Sequence, residues 1–149
     1  MKARAIFLVN YDWFFVSHRL ALGLALKEAG FDVGVAALAT GAHQTILGAG
    51  LKFWPMPFEP GGRNPAQEAR TLAAIGDLYR RERPDLVHQV TIKPVLYGSL
   101  TARALRVPAV VNAIIDGLYR EYGIDHIDMP ATAERVWMAI ENSRRQHRM

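Results

Sequence analysis

The sequence predicts an α/β fold, a Rossmann-like open parallel sheet of about five strands with helices on both faces. Three observations predict it. Apolar runs of strand length alternate with segments of helical period, the signature of βαβ units. The first strand, helix and second strand fit within about 35 residues, as a right-handed crossover requires. Prolines and glycines fall at the ends of these segments, where they act as punctuation.

Each element has a local reason. Ala3 to Val9 is apolar apart from Arg4 and reads as the first strand. Asn10 to Val16 reads as a loop leading to Ser17, a suitable N-cap. In the helix that follows, Leu20 and Leu24 share a face with Ala21 and Ala25, and Gly30 is placed to end it. Phe31 to Leu38 is the second strand. A short helix over 42–49 closes at Gly50, and the third strand, Leu51 to Trp54, is terminated by Pro55, Pro57 and Pro60. After the turn Gly61-Gly62-Arg63-Asn64, Pro65 opens a helix to Arg83 with an apolar stripe at Leu72, Ile75, Leu78 and Tyr79. Pro84 stops it. Asp85 to Val90, Pro94 to Leu105 and Pro108 to Ala113 then read as strand, helix and strand. Beyond them a short helix over 114–122, an extended piece over 124–129 and a helix over 133–142, capped by Thr132, make a helical C-terminal appendage. The expected organisation is a domain over 1–113 and an appendage over 114–149.

Composition narrows the function. With 149 residues, 50% hydrophobic and 21% charged, the chain has room for one domain with or without an appendage, and it is too apolar to be disordered. The absence of cysteine excludes disulfides, thiolate-bound zinc, iron–sulfur clusters and a thiol nucleophile, and suits a cytoplasmic setting. Histidines 18, 43, 88, 126 and 147 show no H-x-x-x-H or H-E-x-x-H spacing, so no metal is expected. Asn10 and Asp12 interrupt the opening apolar run too early for a signal peptide or a membrane span. Of the net charge of +4, the excess lies early: thirteen Lys and Arg against eight Asp and Glu over 1–107, five against six over 108–149. No basic and aromatic residues interleave as nucleic-acid binding needs, and Phe53, Trp54, Phe58 and Trp137 read as core. There is no G-x-G-x-x-G, P-loop or G-x-S-x-G.

In an open parallel sheet ligands bind beyond the carboxyl ends of the strands. That edge collects Asn10, Tyr11, Asp12, Trp13, Ser17, His18 and Arg19 after the first strand, Gly61 to Asn64 after the third, His88, Gln89, Thr91 and Lys93 after the fourth, and Asn112 on the fifth. His88 can act there as acid, base or hydrogen-bond donor to a hydroxyl, a purely structural histidine being the competing reading. His18 falls in the first turn of the first helix, where backbone N–H groups can receive an anion. Arg19 and Lys93 can each supply a cation for phosphate.

The stretches FLVNYDWFFVSHRLALGLALKEAGFDVGVA and GLKFWPMPFEPGGRNPAQEARTLAAIGDLYRRERPDLVHQVTIKPVLYGSLTARALRVPAVVNAI resemble the N-terminal half of a family 4 glycosyltransferase over about residues 3–114. The resemblance implies a GT-B enzyme of hexosyltransferase type, in which this half holds the acceptor and a second domain holds the nucleotide-sugar, with no metal or cofactor. It puts Asn10, Tyr11, Asp12, Ser17, His18, Gly61, Gly62, Arg63, Asn64, Thr91 and Lys93 on the acceptor side and His88, as catalytic group, near the reacting sugar. A lipid-linked or saccharide acceptor, polysaccharide biosynthesis and peripheral contact with an anionic inner membrane face are implied too. The basic excess suits such contact. A second likeness begins where the first ends. PAVVNAIIDGLYREYGIDHIDMPATAERVWMAI is similar to the extreme C-terminus of the molybdenum hydroxylase large subunit over 108–143, a tail without molybdopterin-binding residues. The pair implies a fused, chimeric chain: a truncated glycosyltransferase with little activity alone, or a non-catalytic binding module or inert chimera.

Overall fold

The computed structural model describes residues 1–59, 61 and 64–113. The helices and extended piece expected over 114–149 lie outside these residues. Within them run β1 (Arg4–Tyr11), α1 (Asp12–His18), α2 (Leu20–Glu28), β2 (Asp32–Leu38), α3 (His43–Gly48), β3 (Lys52–Pro55), α4 (Pro65–Glu82), β4 (Leu86–Val90), α5 (Ile92–Ala104) and β5 (Ala109–Ala113). The strands form one sheet in the order β3-β2-β1-β4-β5, and every pairing is parallel. From the central β1 the chain builds outward through β2 and β3, then crosses back to lay β4 and β5 on the other side. The topological switch point, where such sheets open a crevice, therefore lies between the carboxyl ends of β1 and β4.

Alternation along β1 sends successive side chains to opposite faces. Ala5, Phe7 and Val9 join Val33, Val35, Phe14, Phe15 and Ile46 under α1, α2 and α3. Ile6 and Leu8 join Ala36, Val87, Ile75, Leu78, Tyr79 and Ala102 under α4 and α5. Helices cover both faces, as the sequence predicts.

One stretch departs from the expectation. Asn10 to Val16 is not a loop, because β1 runs through Tyr11 and α1 follows at once. Burial overrides the weak helix propensity of Trp, Phe and Val here: Phe14 and Phe15 enter the core, with Phe15 edge-on to Phe7 at 5.1 Å. Ser17 is consequently exposed in the last turn of α1, and the N-cap of α2 is Arg19, without a side-chain bond. α5 likewise starts at Ile92, with Pro94 inside its first turn, where the missing N–H costs nothing.

Candidate functional site

The site is built from the ends of β1 and β4. Asp12 opens α1 and is fully buried. Its carboxylate accepts from the Trp13 N–H at 2.8 Å, the Thr40 N–H at 2.8 Å, the Thr40 hydroxyl and the His43 N–H at 2.8 Å. Burial alone would raise its pKa, but these bonds, led by that from the Thr40 hydroxyl, hold it down at about 2. The carboxylate thus ties the β1–α1 junction to the loop between β2 and α3. Asp12, expected as an acceptor contact, has both carboxylate oxygens engaged in these internal bonds.

His88, in β4, turns to the α1 side, its ring 5.1 Å from that of Phe7. Burial pushes its pKa below the ordinary value, and the Arg19 charge adds to the effect. Its Nε2 is buried with no hydrogen-bond partner among the described residues. Two more atoms share that condition, Asn10 Oδ1 and Thr91 Oγ1. Asn10 lies near the carboxyl end of β1 and Thr91 just past that of β4, while His88 pairs with Phe7 two residues before β4 ends. Thr91 also has φ +75° and ψ 167°, a conformation that a β-branched residue rarely adopts. Such backbone strain costs about 1–3 kcal/mol and clusters at functional sites. Buried polar groups are nearly always paired, and these three are not paired among the described residues.

Other expected contacts are spent elsewhere. Lys93, expected on the acceptor side, donates to Glu68 at 2.8 Å and to the Glu59 carbonyl at 3.1 Å and so links α5 to α4. Glu68 also accepts from the Tyr97 hydroxyl. The bond from Lys93, then that from Tyr97, lowers the Glu68 pKa, and the same carboxylate raises that of Tyr97. Asn64, expected on the acceptor side, caps α4, its Oδ1 accepting from the Ala66 N–H at 3.0 Å. Gly61 occupies the left-handed region at φ +68°; Gly62 and Arg63 lie outside the described residues. His18 closes α1 rather than opening a helix, with Nδ1 3.2 Å from the Phe14 carbonyl and its ring stacked on Phe14 at 4.6 Å. Tyr11 ends β1 with its ring stacked on Trp13 at 5.8 Å. Gln89 is buried on the opposite face, donating to Tyr79 Oη at 3.3 Å and accepting from Ser99 at 2.9 Å, and Asn112 donates to the same Ser99 at 3.1 Å.

Thr40, His43, Glu68 and Tyr97 escaped the sequence reading. They act on partners 28 to 31 residues away, Thr40 and His43 on Asp12 and Tyr97 on Glu68, and no local motif marks them. The early basic excess is partly paired at the far end of the sheet, where Arg4 and Lys52 both reach Asp32. Among the described residues no three His, Asp or Glu could hold a metal, and no helix is long and apolar enough to cross a membrane.

The sequence model of the family described as Glycosyl transferase 4-like matches residues 4–122, which takes in the whole sheet and both ends of the crevice. The chain belongs to that family. Its fold recurs in MurG of Acinetobacter baumannii (15% identity, TM-score 0.60, 74% of this chain and 35% of that one). It recurs in the spinosyn forosaminyltransferase SpnP (25%, 0.55, 77% and 32%) and in the UDP-GlcNAc 2-epimerase of Methanocaldococcus jannaschii (19%, 0.56, 99% and 43%). Transferases and an epimerase share the architecture, so fold alone does not choose the reaction. The chain spans about a third of the length of the first solved structures it matches. No curated protein matches it. The family match runs past residues 108–114, where the likeness to the molybdenum hydroxylase tail begins, and most of that second likeness lies outside the described residues.

Proposed function

We propose that residues 1–113 are the acceptor-side domain of a glycosyltransferase, and that the crevice between β1 and β4 binds the hydroxyl-rich acceptor of a sugar transfer. The observation that carries this is the set of unpaired buried atoms, Asn10 Oδ1, His88 Nε2 and Thr91 Oγ1, at the switch point of a domain in this family. Sugar hydroxyls both donate and accept, and such groups would pair them.

Transfer to a hydroxyl needs a base for its proton and a held leaving group. His88 is the base in this reading: its depressed pKa keeps the imidazole neutral at physiological pH, with Nε2 able to accept a proton. Asn10 and Thr91 orient the hydroxyl, and the Asp12 clamp fixes the strand end that carries Asn10. The sequence has no Gly-rich phosphate loop, and the chain covers only part of its structural relatives, so we assign the nucleotide-sugar to polypeptide beyond the described residues. Gly61, with Tyr11 and Ser17, is assigned to the acceptor rim in this proposal. The likeness of 108–143 to the hydroxylase tail rests on sequence and is given no redox role.

Titration of the chain with soluble methyl glycosides, followed by saturation-transfer NMR, tests the reading. It expects saccharide binding that His88→Ala and Asn10→Ala each weaken. Binding that neither substitution alters, or turnover of nucleotide-sugars by this chain alone, would contradict it.

A further inference from the structure

We propose that Trp13, carried on Tyr11, is a stacking platform for the apolar face of a pyranose ring at the rim of the crevice. The inference rests on the saccharide reading of that crevice and adds a residue and a mode of contact to it.

Trp13 is 43% exposed, although a buried indole would remove a large apolar area from water. Among the exposed large hydrophobic residues described it is the aromatic one; the others are aliphatic. It stands three residues after Asn10, at the carboxyl end of the central strand. Its neighbours hold it still. The Tyr11 ring is stacked on it at 5.8 Å with 25° between planes and Phe14 meets it edge-on at 6.0 Å, while the backbone N–H of Trp13, bonded to the buried Asp12 carboxylate at 2.8 Å, fixes the start of the helix that carries it. A ligand meeting this surface would have little side-chain freedom left to remove.

The chemistry favours an amphipathic ring over a lipid chain. A pyranose presents a face of C–H groups, which suits the electron-rich face of an indole, and a rim of hydroxyls, which needs donors and acceptors. Here Trp13 follows Asn10 by three residues at the carboxyl end of β1, the end at which Asn10 and Thr91 carry polar atoms without partners among the described residues, and Ser17, one turn on in α1, is exposed. An acyl or polyprenyl chain would find the first half of this environment favourable and the second half costly.

The test uses the full chain with Trp54→Phe and Trp137→Phe, so that Trp13 alone reports, titrated with methyl glucoside, methyl mannoside and methyl N-acetylglucosaminide. At least one is expected to shift the Trp13 emission saturably. Saturation-transfer NMR on the otherwise native chain is expected to show affinity falling about tenfold or more, or about 1.4 kcal/mol, in Trp13→Ala and mostly kept in Trp13→Tyr. Binding that falls in Asn10→Ala and His88→Ala yet is unchanged in Trp13→Ala would overturn the platform and leave the crevice reading standing. No binding of any saccharide would overturn both. An emission shift with anionic phospholipid vesicles but with no saccharide would make Trp13 a membrane contact and overturn the proposal.

Discussion

Replacing Asp12 with Asn tests the clamp at the base of the site. The amide keeps one acceptor but places an NH₂ group where the carboxylate receives the N–H groups of Thr40 and His43. Donor then faces donor in a position with no access to water. Leaving buried polar groups unpaired costs about 1–3 kcal/mol each, so with two N–H groups the loss at neutral pH is about 2–6 kcal/mol. The pKa gives an independent figure. A fall from 3.8 to about 2 corresponds to about 2 kcal/mol favouring the charged form in the folded chain. Because the folded pKa is the depressed one, this stabilisation is complete above the unfolded value and is lost as pH falls towards the folded value. About half survives near pH 3. Urea unfolding of both proteins at neutral pH and near pH 3 is the assay. Asp32 and Glu68 also titrate there with lowered values, chiefly through bonds from Lys52 and Lys93, but both proteins share them, so the difference isolates Asp12. A variant within about 0.5 kcal/mol of wild type at neutral pH, the range of an ordinary surface change, would refute the reasoning. So would a gap that does not shrink with acid.

Three further outcomes follow from the same structure. Gly98→Ala should lower stability by about 1–3 kcal/mol through overpacking, because a Cβ there would lie 2.5 Å from Gln89 Nε2 and 2.8 Å from Leu8 Cδ2; the urea midpoint checks it. Tyr79→Phe removes the oxygen that accepts from the buried Gln89 amide and should cost about 1–3 kcal/mol by leaving that donor unpaired, read in the same way. The His88 midpoint, followed by NMR of its ring protons, should lie below the ordinary value, and Arg19→Gln should raise it only partway, since burial is the larger cause. As the unfolded chain takes up this proton first, His88 contributes a loss of stability when pH drops below about 6.5.

The architecture was legible because its signals are local. The apolar runs of β1, β2 and β4 and the stops at Gly30, Gly50 and Pro84 are each written within a few residues. The α1 segment was misread because Trp13, Phe14 and Phe15 favour strand or loop by propensity, while their burial against Phe7 decides for helix. The edge that carries the site could be named from topology, but the roles of its residues could not. Asp12, Asn64 and Lys93 look alike as polar residues after strands, and only their distant partners, Thr40, Ala66 and Glu68, divide clamp, cap and tether from the unpaired Asn10, His88 and Thr91. The strained backbone of Thr91 has no counterpart in the sequence at all.

The claim that the β1–β4 crevice is a saccharide site is tested most directly by amide chemical-shift mapping of the full chain titrated with the methyl glycosides. The account predicts saturable shifts concentrated at Asn10, Trp13, His88 and Thr91. Shifts confined to the opposite end of the sheet, around Arg4, Asp32 and Asp85, or the absence of any shift at the crevice, would contradict it.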